Sequence, residues 1–175
     1  LVNHMSTIDG FTIQNGYADV YEVTDDLRKS GGGLLSFGTP LITNCIFKEN
    51  FAIDGGGLML KDNIGFVIEN CSFLNNIGSW SGGAIEASNS DGIIKNCYFD
   101  GNGQGFTAGA IEITDGEFDI ESCVFENNTA RYGGAISAFS YQEITKGNIT
   151  NCEFRNNHAE GSGGAISSAN APFDI

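Results

Sequence analysis

Glu86 and Glu112, 26 residues apart, are the pair in this chain best suited to bond chemistry. If the chain coils with that period, both carboxylates project from adjacent turns about 5 Å apart. That is near the ~5–5.5 Å at which retaining glycosidases set a nucleophile beside an acid. Any acid repeated at the coil period acquires the same spacing, however, and the equivalent positions on the flanking turns hold Met59 and Ser137. Four aromatic residues, Phe51, Trp80, Phe106 and Tyr132, fall on successive turns and define a candidate binding stripe for sugar rings or a protein partner. The competing reading is local packing over the turn. Asp25 and Asp26 lie in an acidic stretch spanning residues 16–30, read as a surface-loop insertion that also carries Asp19 and Glu22. They are the candidates for a cation such as Ca²⁺, against the ordinary fate of loop acids, which is solvation.

What positions these residues is a repeat. ITNCIFKEN from Ile42, IENCSFLNN from Ile68, IKNCYFDGN from Ile94, IESCVFENN from Ile120 and ITNCEFRNN from Ile149 align at spacings of 26, 26, 26 and 29. Glycine-rich closures follow at Gly55, Gly82, Ala108, Gly133 and Gly163. A degenerate first copy holds Ile8, Phe11 and Ile13 and closes at Gly31. Phe173-Asp174-Ile175 echoes Phe118-Asp119-Ile120, so a further coil is expected to begin there. Residues 1–175 read as a single solenoid domain, a fragment of a longer repeat protein with more coils on its C-terminal side.

Units this short, rich in Ile, Phe and Val at period two, form strands and not helix pairs. Cys and Phe two apart share a strand face, and the Ile three before the Cys reaches the same face if the Asn between them bends. The expected fold is all-β: a right-handed single-stranded parallel β-helix of about six coils, with three short strands per coil and turns about 4.8 Å apart. Leu58, Ile85, Ile111, Ile136 and Ile166 should point inward after the glycine turn. Two ladders of stacked amides are expected, one at Asn44, Asn70, Asn96, Ser122 and Asn151, the other at Asn50, Asn76, Asn102, Asn128 and Asn157.

The five cysteines occupy one repeat position, Cys45, Cys71, Cys97, Cys123 and Cys152, and should stack in an internal line as free thiols. Parallel side chains leave their Cβ atoms farther apart than the ~3.8 Å of a disulfide. A line of sulfurs does not converge on a tetrahedral zinc, and only His4 and His158 are present to assist. Phe11 at the same position suggests a slot for bulk and apolarity. Glu69, Lys95 and Glu121 also fall in register and read as a surface ion-pair ladder. No metal or other cofactor is expected.

A formal charge of −14 repels phosphate backbones and excludes nucleic acid as a partner class. No stretch nears the ~20 apolar residues of a membrane-spanning helix.

The pairing of GGA[I/L] with FxxN, here FKEN from Phe47, FLNN from Phe73, FDGN from Phe99, FENN from Phe125 and FRNN from Phe154, resembles the repeats of the chlamydial polymorphic outer membrane proteins and similar bacterial surface β-helix proteins. The likeness covers about residues 5–175. It implies an exported, extracellular or cell-surface location, an adhesive passenger role and a host or matrix protein or glycan as partner. The leading expectation is a non-catalytic, adhesin-like scaffold presenting an extended face. The alternative is a carbohydrate-active β-helix, a polysaccharide lyase or glycoside hydrolase, with its active site largely outside this segment.

Overall fold

A computed structural model describes residues 5–19, 29–141 and 145–174. His4, Glu22, Asp25, Asp26 and Ile175 lie outside the described residues, so the candidate cation pair has no structural account here.

The chain turns at left-handed residues, which glycine and asparagine adopt at little cost. In one coil these are Asn70 at φ 55°, Asn75 at 53°, Gly82 at 40° and Asn89 at 47°. Four corners make four sides, which in that coil are the strands Ile64–Glu69, Ser72–Leu74, Ile77–Ser81 and Ile85–Ser88. The expectation of three strands per coil is therefore corrected to four. The corner at Asn89, whose equivalents are Asp62, Asp115 and Asn170, varies in residue type and leaves no repeated signature.

Each strand pairs in parallel with its counterpart one coil away, giving four sheets of seven, six, six and six strands. Within the former insertion, Tyr17–Ala18 is itself a strand, paired with Phe51 and Ala52.

Stacking like on like fills the interior. Ile42, Ile68, Ile94 and Ile120 are buried, and after the glycine turn so are Leu58, Ile85, Ile111 and Ile136, with Ile166 half-buried at the last coil. Phe47, Phe73, Phe99, Phe125 and Phe154 form a continuous stack, with centroids 4.9, 4.9, 4.7 and 4.9 Å apart and planes within 6°. The five cysteines form the expected column as free thiols, four buried and Cys152 half-buried. The Cys45 thiol donates to the Thr43 carbonyl at 3.1 Å, its sulfur neighbour Cys71 accepts the Cys45 backbone N–H at 3.4 Å, and burial pushes the Cys45 thiol's pKa up. Phe11 stands at the equivalent position in the first coil, one residue before the Thr12–Ile46 register pair, and is 61% exposed there.

Of the two expected amide ladders, one exists. Asn102 Nδ2 donates to the Phe73 carbonyl at 2.9 Å and to Asn128 Oδ1 at 3.0 Å, and the pattern repeats from Asn50 to Asn157. The Asn44 series is exposed instead. Asn44, Asn70, Asn96, Ser122 and Asn151 share φ of 53° to 55°, and Asn44 donates outward to Asp9 at 2.8 Å. Their common feature is backbone conformation, not an amide chain. On the surface, Lys95 reaches Glu69 at 2.9 Å.

One internal column alternates. Phe66, Gly92, Phe118 and Gly147 are consecutive register partners in the seven-stranded sheet. A Cβ on Gly92 would lie 2.5 Å from the Phe66 ring, so each phenyl overlies the glycine of the next coil.

Candidate functional site

The strands Ile85–Ser88 and Ile111–Thr114 put Glu86 directly opposite Glu112, one strand spacing apart. The flanking positions of that column are Met59 and Ser137, as the repeat requires. Each carboxylate is held by a hydroxyl five residues earlier, across the glycine turn: the Ser81 hydroxyl donates to Glu86 Oε2, and the Thr107 hydroxyl to Glu112 Oε2. Ser81 also reaches Asp54 Oδ1 at 3.3 Å, because Asp54 holds Ser81's position in the preceding coil. Three acids from three coils thus share one neighbourhood.

Burial dominates the electrostatics. Glu112 is 6% exposed and Glu86 half-buried. Loss of hydration pushes Glu86 up to about 8, with the charges of Glu112 and then Asp54 adding to it and the Ser81 hydrogen bond and Lys61 opposing it. Burial likewise lifts Glu112 to about 7, against the Thr107 hydroxyl and the Gly82 N–H, with Asp54 adding to the rise. A protonated carboxyl beside an ionised one is the state this favours near neutrality.

These groups line a cleft of about 860 Å³. Its charged lining is Asp54, Glu86, Glu112 and Asp115 against Lys29 and Lys61, a net negative surface. Trp80 also lines it, 57% exposed. Its ring stacks on Phe106 at 5.1 Å and 10°, Phe106 meets Tyr132 edge-on at 5.4 Å, and the Arg131 guanidinium sits 4.9 Å from the Phe106 centroid.

The aromatic stripe is therefore shorter than the sequence suggests. Phe51 stands apart from it, stacked on Tyr17 at 4.9 Å, and its partner in the next coil is Ile77. Sequence reasoning missed Asp54, Lys61, Ser81 and Thr107; the shared offset of five residues in Ser81/Glu86 and Thr107/Glu112 was the available signal.

A second groove, about 540 Å³, runs along the seven-stranded sheet past Asp91, Glu117, Asp119 and Lys146. Its acids are engaged internally: Asp91 accepts the Glu117 N–H at 2.7 Å, Glu117 pairs with Lys146 at 2.9 Å, and Asp119 accepts from Asn148 at 2.7 Å. Among the described residues no three His, Cys, Asp or Glu side chains are arranged to hold a metal ion.

A solenoid of four parallel sheets carrying an acidic, aromatic-edged cleft on one flank defines a parallel β-helix protein. The chain belongs to the right-handed β-helix family: the family model described as right handed beta helix region matches residues 2–173. Comparisons with curated proteins and with solved structures gave no match. The fold is consistent with a surface scaffold or a carbohydrate-active enzyme and does not distinguish the two, which leaves the cleft as the feature that bears on function.

Proposed function

We propose that this chain is a non-catalytic, adhesin-like scaffold of the cell surface or extracellular space, and that its cleft binds a glycan. The observation that carries the reading is Trp80. A large ring left 57% exposed, held flat by Phe106, stands beside a cleft with four carboxylates, and flat aromatic faces beside hydrogen-bonding acids suit the CH face and hydroxyls of a sugar. The surface location and the likeness to polymorphic outer membrane protein repeats belong to this proposal, supported by GGAI at Gly82, Gly133 and Gly163 with FxxN from Phe47 onward. Among the described residues no helix is long and apolar enough to cross a membrane.

A glycan array followed by calorimetry tests it. Trp80→Ala should weaken binding about tenfold or more while Phe51→Ala, on the separate Tyr17 stack, leaves it unchanged. Equal effects of the two substitutions would remove the cleft from the reading.

The geometry of Glu86 and Glu112 supports a second reading, a retaining glycosidase pair, since their register sets them one strand apart and their environments favour one protonated and one ionised group. Release of reducing ends that disappears in Glu86→Gln or Glu112→Gln would replace the scaffold with an enzyme.

A further inference from the structure

We infer that the cleft holds an uncharged, unbranched glycan chain long enough to lie on two aromatic platforms at once, Trp80 at one corner and Tyr141 at the diagonally opposite one. The inference rests on the glycan reading above and names the class of chain that the cleft takes.

Tyr141 lines the same cleft as Trp80 and, at 76%, is the most exposed large apolar side chain among the described residues. The two rings come from opposite ends of one side of the solenoid. Trp80 precedes the glycine turn that leads into Ile85–Ser88, whereas Tyr141 follows Ile136–Phe139, the strand two coils on. The Tyr141 backbone N–H donates to Asp115 Oδ1 at 2.7 Å, which ties the residue back toward the preceding coil. Each platform has an aromatic neighbour of its own: Phe106 stacks on Trp80, and Phe139 lies at 16° to Tyr141 with centroids 6.4 Å apart.

Separation sets the length of the ligand. The four-residue width of this side at ~3.3 Å per residue and two coil spacings of ~4.8 Å place its opposite corners roughly 16 Å apart. A single sugar or a disaccharide reaches one ring. A longer chain crossing the sheet obliquely, over Met59, Glu86 and Glu112, reaches both.

Charge sets its chemistry. At mildly acidic pH, below their raised values of about 8 and 7, Glu86 and Glu112 are protonated, which leaves Asp54 and Asp115 to set against Lys29 and Lys61. A chain bearing carboxylates or ammonium groups brings unmatched charge into that balance. An uncharged chain gives its hydroxyls to carboxyl groups able both to donate and to accept. Flat rings at both corners favour pyranoses whose hydroxyls are all equatorial, since these present an unbroken CH face.

The test is calorimetry of the intact chain at mildly acidic pH with three probes: cellobiose, cellohexaose and the cellouronate hexasaccharide, in which each hydroxymethyl group is oxidised to a carboxylate. Cellohexaose should bind about tenfold or more tighter than either of the others. Tyr141→Ala should erase its advantage over cellobiose and Tyr141→Phe should preserve it, with circular dichroism confirming the fold of both variants. Cellohexaose binding no tighter than cellobiose, with Trp80→Ala weakening both, would overturn the pair of platforms and leave the glycan reading intact. Cellouronate binding as tight as cellohexaose would overturn the uncharged class. Trp80-dependent binding of another glycan on the array, with neither cello-oligosaccharide bound, would overturn the class and spare the glycan reading. Binding of no glycan at all would overturn both.

Discussion

Two columns of asparagine run the length of this solenoid for different physical reasons. The exposed column, Asn44 to Asn151, supplies left-handed backbone at a corner, and Ser122 stands in it at φ 54° without disturbing the fold. The buried column is a hydrogen-bonded chain in which each amide from Asn50 to Asn128 joins three coils, and from Asn50 to Asn157 every member is asparagine; Gly16 holds the position one coil earlier and contributes only its backbone N–H to Asn50 Oδ1. Recurrence of a residue shows that a position is constrained. Whether a substitute is tolerated shows whether the constraint is conformation or bonding.

The widest separation between the columns should come from alanine. Asn102→Ala strips the Phe73 carbonyl and the Asn76 N–H of their partners and breaks the amide chain to Asn128, so urea denaturation should register a loss of roughly 3–5 kcal/mol. A loss no larger than that of Asn96→Ala would end the distinction.

A charged column tests what happens when repeated side chains cannot satisfy one another. Glu86 and Glu112 bind protons more tightly folded than unfolded, since their folded values of about 8 and 7 stand above the ordinary 4.5. Unfolding therefore releases protons between about pH 4.5 and 8, and the stability these groups confer when protonated is present below that window and lost as pH rises through it. Thermal melts across pH should show wild-type Tm falling through that range, and the Glu86→Gln, Glu112→Gln double variant should flatten the fall and melt higher at pH 8. A wild-type Tm that climbs with pH there would contradict the assigned cause.

The smallest effects belong to the corners. Asn96→Ala should cost about 1 kcal/mol and Asn96→Gly only a few tenths, because the demand is for positive φ. Glu49 occupies at φ 55° a corner that Asn75, Gly101, Asn127 and Asn156 fill elsewhere, so Glu49→Asn should stabilise by roughly 0.5–1 kcal/mol. Chemical denaturation resolves both.

Much of the interior was legible in the sequence, because in-register parallel stacking puts the same residue into the same environment every coil. The Ile, Cys, Phe and buried Asn columns all follow from that one fact. The fourth side was not legible, since its corner residues, Asp62, Asn89, Asp115 and Asn170, share a conformation and not an identity. The aromatic stripe was half-legible for another reason. Register shifts between Gly78 and Ser81, Gly103 and Gly105, and Ala130 and Tyr132 make residue counting fail across the third side, and Phe51 fell out of line with Trp80. The glutamate pair was visible from its spacing. Its clamps were not, because Ser81 and Thr107 reach back across a turn whose shape only the folded chain defines.

The overlay of Phe66 on Gly92 and of Phe118 on Gly147 makes the unit of growth two coils. Excising residues 92–117 would drop Phe118 onto Phe66, two rings contending for space that one glycine had vacated, whereas excising residues 66–117 returns Phe118 to a berth already shaped for it. Lengthening or shortening of such a rod is thus permitted in even steps and resisted in odd ones, a parity rule written in one column of side chains.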